Sequence, residues 1–444
     1  MRTTRRHRGT GVGRDRTTVL SPASVEAAVL ALVALFCAGY LAPYLLPTLV
    51  GRLGTDFGLT PTQAGGVGSA LLLASALAGI GLTGRISRLG PDRTARCALA
   101  VVGMGFGLAA VTHSLPLLLT GCVLGGAGSG ASTAVAASVL AKRPDPHRVF
   151  VVGLLVTSAL AAAIFLALPH LGTGHGLAFA SIAVTGALAL PTASRLPGRG
   201  RGRTPRAGGD DTRTERPPLP RRGAGITLAV CLMFWSLTQN ALWGVSGRIG
   251  LDRAGLTEAV LGVVLAAALG AGLVGTVGAG LVGSRFGTAL PIGAGTLAIA
   301  ACVALTGGAH QEAPFAFGEI AWNAVYPFVL SYLLGLAATL DREGRWGVLA
   351  GASSSIGVAC GPLAGTLLVS AAGYPAMGLT LAAILLAVTG PLVRVARNSA
   401  KESRTAAAES AGDTSTATVL PSAARTADSP DAAAGAPDAA GAAA

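Results

Sequence analysis

Apolar stretches of about 20 residues, each long enough to cross a hydrocarbon core of about 30 Å, alternate with short polar segments along most of the chain. Twelve such stretches are predicted as helical spans. The first six cover residues 25–50, 62–83, 94–112, 115–141, 147–168 and 175–193. The second six cover residues 224–249, 256–282, 288–305, 313–340, 346–371 and 374–396. The first span follows an Arg-rich start and has the flavour of a secretion signal, but its apolar run is too long for one and eleven more spans follow.

Composition strengthens this picture. Charged residues make up 12% of the 444 positions, about half the share usual in a soluble domain, while hydrophobic residues reach 51% and there are 64 glycines. Small and aliphatic side chains are the mixture that lets membrane helices approach closely. The net charge of +13 does not form a nucleic-acid patch, because the basic residues sit in short clusters between spans. With the amino terminus inside, alternate loops on that side hold 30 of the 33 Lys and Arg, and the outer loops hold Arg52, Arg248 and Arg253. Such a split satisfies the positive-inside rule and places both ends in the cytoplasm. Five segments follow: a basic tail (1–24), a six-helix bundle (25–195), a linker (196–223), a second six-helix bundle (224–397) and a disordered tail (398–444). The Arg-Gly alternation at Arg199, Arg201 and Arg203 reads as an anionic-lipid contact or a topology signal in preference to an RNA-binding tract.

The two halves repeat each other at a single offset. Gly58-Leu59-Thr60 recurs as Gly255-Leu256-Thr257, Gly65 as Gly262, Gly81 as Gly278, and Ser87-Arg88-Leu89-Gly90 as Ser284-Arg285-Phe286-Gly287. Two six-helix halves in parallel repeat place a shared site near the bilayer midplane and let one bundle rock against the other.

On these features the chain resembles the major facilitator superfamily, in its bacterial twelve-helix form. The family's signature loop after the second helix is matched by Gly84, Arg88, Gly90, Arg93 and Arg96, with Ser87 where the family carries Asp. A reduced copy stands at Gly280, Ser284, Arg285 and Gly287. The resemblance implies that these loops take part in gating and that helices 1, 4, 7 and 10 line the substrate cavity. Span 4 carries Leu124, Gly126, Gly128 and Gly130 of another family series, with Cys122 at the position of its Arg. Gly357, Gly361, Pro362 and Gly365 on span 11 are spaced to share one helix face and read as a packing seam.

Charges within spans are costly and mark functional candidates. Glu319 lies about six residues, roughly 9 Å, into span 10. There it either faces a partly dry site, able to exchange a proton or attract a cation, or lies in water because the span begins later. Asn323 and Tyr326 continue its helical stripe, with Trp322 beside it. Gln239, Asn240 and Trp243 on span 7, Tyr40 and Tyr44 on span 1, and Ser129 on span 4 complete the expected cavity lining.

No phosphate-binding loop, metal-ligand spacing or paired catalytic constellation is seen, so neither a cofactor nor a metal nor an enzymatic activity is expected. The six cysteines fall singly in apolar segments as small hydrophobes. The expected protein is a multi-pass, monomeric, inner- or plasma-membrane secondary transporter for a small organic solute, coupled to protons through Glu319 and exporting drug-like or metabolic compounds. Its partners are substrate, protons and membrane lipids, with no nucleic acid. The rival reading is a transporter-like membrane sensor that binds a ligand without moving it.

Overall fold

The computed structural model describes residues 22–143, 145–196, 219–283, 285–341 and 343–416. Most of the linker, with Arg199, Arg201 and Arg203, lies outside the described residues, as do Ser284, the first 21 residues and residues 417–444.

The first predicted span is two helices, α1 (Pro22–Tyr44) and α2 (Leu46–Asp56). The break follows from Pro43 and Pro47, which withhold backbone donors on either side of Leu45. After it come α3 (Pro61–Leu82), the short α4 (Ile86–Leu89), α5 (Pro91–Val111), α6 (Leu115–Leu140), α7 (Pro146–Leu171) and α8 (His175–Ala189). The second half holds α9 (Arg222–Arg248), α10 (Glu258–Val282), α11 (Ala289–Gly307), α12 (Glu312–Leu340) and α13 (Arg345–Thr416). Gly373, at φ +80°, splits α13 into two helices near the predicted gap between spans 11 and 12, so eleven long apolar helices supply twelve crossings. Among the described residues the chain is all-α, with the twelve-helix arrangement expected from the pattern of spans.

Two boundaries differ from expectation. Helix continues past residue 50 in α2, where Arg52 is drawn into the protein instead of marking an exposed loop. Helix also runs to Thr416 where residues from 398 were expected to be unstructured; Ala, Glu, Lys and Arg there are strong helix formers. Residues 400–416 belong to a unit of their own, in which Thr405 Oγ1 donates to Lys401 O at 3.1 Å.

The sequence repeat has a backbone cause. Gly58 and Gly255 both take positive φ, at +61° and +72°, and so do Gly90 and Gly287, at +95° and +67°, a region costly for side chains with a Cβ. The threonines that follow cap equivalent helices: Thr60 Oγ1 accepts from Gln63 N of α3, and Thr257 Oγ1 accepts from Val260 N of α10. In the first half the cap closes reciprocally, with Gln63 Oε1 accepting from Thr60 N.

Glycines then set how closely the helices approach. A Cβ on Gly126 or Gly130 of α6 would run into the backbone of α3 at Leu71 or Ser75, and one on Gly275 of α10 would run into α12 at Ala324. Equivalent helix pairs in the two halves are therefore drawn together by glycine, on the later helix in one half and on the earlier helix in the other.

Bonds between the halves cluster toward one end of the bundle. Arg52 of α2 meets Glu258 of α10 at 3.1 Å, and Thr62 of α3 donates to Ser370 of α13 at 3.3 Å. About two turns or more deeper, Ser69 Oγ accepts from Leu363 N at 2.9 Å, and Trp243 Nε1 donates to Pro43 O at 3.0 Å. Gly65 packs on Thr366, and Gly247 on the Pro47 carbonyl. The two halves are thus closed against each other at the end bearing Arg52 and Glu258.

Arg52 also donates to Gly174 O at 3.0 Å and Leu168 O at 3.4 Å, which fixes it in the first half, so Glu258 is its crossing partner. An ion pair with one partly exposed member contributes at most about 1 kcal/mol. With Cys97 and Cys360 replaced by serine, a thiol at the buried position Thr366 should be labelled about fivefold faster once Glu258→Gln is added. An unchanged labelling rate would show that the pair does not hold that end closed.

Nearby, Asp56 Oδ2 accepts from the His175 backbone N–H at 2.6 Å and lies 2.8 Å from its Nδ1, which caps the start of α8. Burial pushes the Asp56 carboxyl up, but the His175 bonds, with the charges of His175 and Arg52, outweigh it and hold the group below its ordinary range. A carboxylate with a depressed folded value contributes stability that is complete above the unfolded value of about 4 and is lost as pH falls through the folded one. Asp56→Ala should therefore lower stability by about 1 kcal/mol at neutral pH. The gap in melting temperature from wild type should persist down to about pH 5 and close only below about pH 4. A gap already closing at pH 6 would contradict this.

Candidate functional site

The break between α1 and α2 presents backbone carbonyls and two tyrosines to the second half. Phe36, Tyr40 and Tyr44 recur every four residues on α1, with ring centroids 5.8 Å and 6.4 Å apart along the series. Phe150 of α7 closes on Phe36 edge-on at 5.6 Å. Opposite them, α9 and α12 run antiparallel. Trp235 stacks on Tyr326 at 5.2 Å, and Trp243 meets Trp322 edge-on at 6.1 Å. Trp322 in turn stands edge-on to Tyr326 at 6.1 Å. The Trp243 bond to Pro43 O, next to Tyr44 in the chain, joins the second-half rings to the end of the α1 series. Only 5% of residues are aromatic, yet three of the four tryptophans and three of the five tyrosines gather here.

Behind the rings runs a polar seam. Gln239 is fully buried; its Nε2 donates to Trp235 O at 2.9 Å, and its Oε1 has no partner. Glu319 is fully buried too, which sets aside the wet alternative. Its Oε1 lies 3.0 Å from Ser246 Oγ, and its Oε2 is unpartnered. The Trp322 indole N–H sits close to this carboxyl without closing a hydrogen bond, and the Trp235 N–H is likewise buried without a partner. Ser246 Oγ lies 3.0 Å from Leu242 O as well as from Glu319. A hydroxyl has one proton to donate. When Ser246 gives it to Glu319, the carboxylate can be charged; when it gives it to Leu242, Glu319 must itself carry the proton to keep the bond. The pair has two hydrogen-bond arrangements that differ by one proton on Glu319.

The remaining expected residues fall in other places. Asn240 and Asn323, both half-buried, donate to Ser236 O and Glu319 O of their own helices at 2.9 Å. Ser129 is fully buried and donates to Ala38 O at 3.1 Å, so it fastens α6 to α1 instead of facing an open chamber. Ser132 and Thr133 likewise bond the α6 backbone. Gly357, Gly361 and Gly365 seat α13 on α9 at Met233, Asn240 and Ala241, and Pro362 packs on Gly244. In the loop between α3 and α5, Gly84 takes φ +80°, and Arg93 is exposed in the first turn of α5; Arg285 is exposed beside Gly287 in the second half. Trp235, Phe36 and Ser246 were not anticipated as part of the site. Trp235 and Ser246 share the helical stripe of Gln239 at i−4 and i+7, and that spacing was the available signal.

The family model described as Major Facilitator Superfamily matches residues 28–340. The chain belongs to the major facilitator superfamily. Among solved structures, this member is similar to a bacterial homolog of the human lysosomal transporter Spinster, in an inward-facing and unoccupied conformation. That likeness has a TM-score of 0.64 at 15% identity and covers 87% of this chain and 98% of that one. It is also similar to a D-xylose–proton symporter, with a TM-score of 0.62 at 15% identity, over 82% of this chain and 96% of that one. A third neighbour is the human organic anion transporter MFSD10 (TETRAN), with a TM-score of 0.57 at 17% identity, over 83% and 98%. At such identities these neighbours establish the fold. No curated protein sequence matches the chain. Family and fold together support a multi-pass membrane protein that acts as a secondary transporter.

Proposed function

We propose that this family member carries a small organic solute out of the cell by alternating access, in exchange for protons taken up through Glu319. The positive-inside count puts both ends in the cytoplasm and the Arg52–Glu258 end outside, so the halves are closed on the outer face, as in an inward-facing carrier. The observation that carries the reading is the seam itself: a fully buried carboxyl, bonded to a hydroxyl that can serve either of two acceptors, behind an aromatic wall contributed by both halves. A proton held there in one arrangement and released in the other ties the charge of the site to its conformation.

Counterflow of labelled solutes into proteoliposomes, with and without a pH gradient, tests the reading. Exchange that the gradient accelerates is expected. Binding without exchange would turn the case toward the membrane sensor. Topology is checked by impermeant thiol reagents on Arg93→Cys and Arg253→Cys, which should react from opposite faces; labelling from one face would overturn the arrangement.

A further inference from the structure

The unmet groups along the seam describe the ligand that it would accept. Four buried polar atoms along α9 and α12 have no partner: the acceptors Glu319 Oε2 and Gln239 Oε1, and the donors Trp322 Nε1 and Trp235 Nε1. Leaving such groups unmet costs about 1–3 kcal/mol each, so a ligand that supplies their complements is favoured. The groups beside Glu319, the Ser246 hydroxyl and the Trp322 indole, are neutral, and Arg52 is engaged by Glu258 and two carbonyls. When Glu319 has released its proton, a cationic solute can supply the positive charge that balances it. Ring faces attract cations as well, through their quadrupoles. An ammonium that keeps its N–H groups meets both demands, because the unpartnered carboxylate oxygen needs a donor.

Length narrows the class. Trp235 stacks on Tyr326, whereas Ser246 bonds Glu319, so the seam runs from a carboxyl at one end to an indole N–H and an amide oxygen toward the other. From Glu319 to Tyr326 the helix rises about 10 Å. One aromatic ring with a two-carbon amine arm and a hydroxyl at the far end spans a comparable distance. Resting on the transporter reading above, we propose that the chamber takes a protonated arylalkylamine, with its ammonium on Glu319, its ring against the Tyr40, Tyr44 and Tyr326 faces, and its hydroxyl toward Gln239 and Trp235. An anion is disfavoured, since nothing in the seam offers it a countercharge.

Three probes of one frame test this: tyramine, its neutral alcohol analogue tyrosol, and the anionic 3-(4-hydroxyphenyl)propionate. Labelled tyramine is bound to the full chain in nanodiscs by equilibrium dialysis, with the others as competitors. Tyramine should bind at least about tenfold more tightly than tyrosol, and the anion should compete least. Glu319→Gln should weaken tyramine by at least about tenfold and leave tyrosol within about twofold, while Glu319→Asp should keep the preference for the amine. Equal binding of tyrosol, no binding of tyramine, or full affinity in Glu319→Gln would overturn the assignment. Should Glu319→Gln fail to give a monodisperse protein, the wild-type ranking of the three probes decides alone. Counterflow separates the two claims. Amine-selective binding without counterflow removes the transport reading and leaves the amine site, whereas charge-indifferent counterflow does the reverse.

Discussion

Gly130→Ala should destabilise the protein by about 3 kcal/mol in a thermal melt in detergent, although alanine is the better helix former by about 1 kcal/mol. The added methyl would meet the Ser75 carbonyl and the backbone around it, and a backbone cannot rotate aside as a side chain can. Gly275→Ala should behave alike, because its Cβ would meet the Ala324 carbonyl of α12. The control is Gly270→Ala on α10, where the new Cβ has nothing within 4 Å. There the change should be neutral or stabilising by up to about 1 kcal/mol, as helix propensity alone dictates. The same substitution is thus expected to carry opposite signs at positions on helices of similar composition. Equal effects at all three would mean that close approach of α3 to α6, and of α10 to α12, is not what these glycines provide.

Transport driven by a pH gradient should fall at least about tenfold in Glu319→Gln, and what remains should no longer respond to the gradient. The amide preserves the shape and the bond with Ser246 but can neither take up nor release a proton. Glu319→Asp, which keeps the chemistry one methylene shorter, should retain gradient dependence at reduced rate. Ser246→Ala offers an independent check. Without the hydroxyl the carboxyl loses its hydrogen-bond partner, so the pH dependence of transport should move while the variant still responds to the gradient. Gradient dependence that survives unchanged in Glu319→Gln would remove this residue from coupling.

The length of the apolar runs made the membrane crossings legible, because a lipid-spanning helix must be apolar over a fixed length. It misjudged α2 for the same reason. Arg52 looks like the end of a span, and only tertiary partners, Glu258 and two carbonyls 116 and 122 residues away, make it a buried side chain inside one. The repeat was visible as matching letters, and the structure explains why those letters match: glycines at positive φ and threonine caps are backbone requirements that small, local residues meet. For the site, helical stripes brought Gln239, Trp243, Trp322 and Tyr326 to notice. They could not show which hydroxyls of α6 would turn to a backbone carbonyl, as Ser129 does toward Ala38, since that depends on how close the neighbouring helix comes. Trp235 escaped notice because a tryptophan in an apolar run reads as ordinary filling until Tyr326 is found stacked on it.

The gathering of indoles has a practical side. Three of the four lie among the paired rings of α9 and α12, and the fourth, Trp346, is fixed by its bond to Pro220 O at 2.8 Å near the start of α9. Intrinsic fluorescence of the unmodified protein is therefore dominated by emitters set where a solute would dock and where the halves would part. Quenching and spectral shifts can follow occupancy and rearrangement in real time without any dye, and phenylalanine in place of Trp346 would leave a signal that comes from the chamber alone.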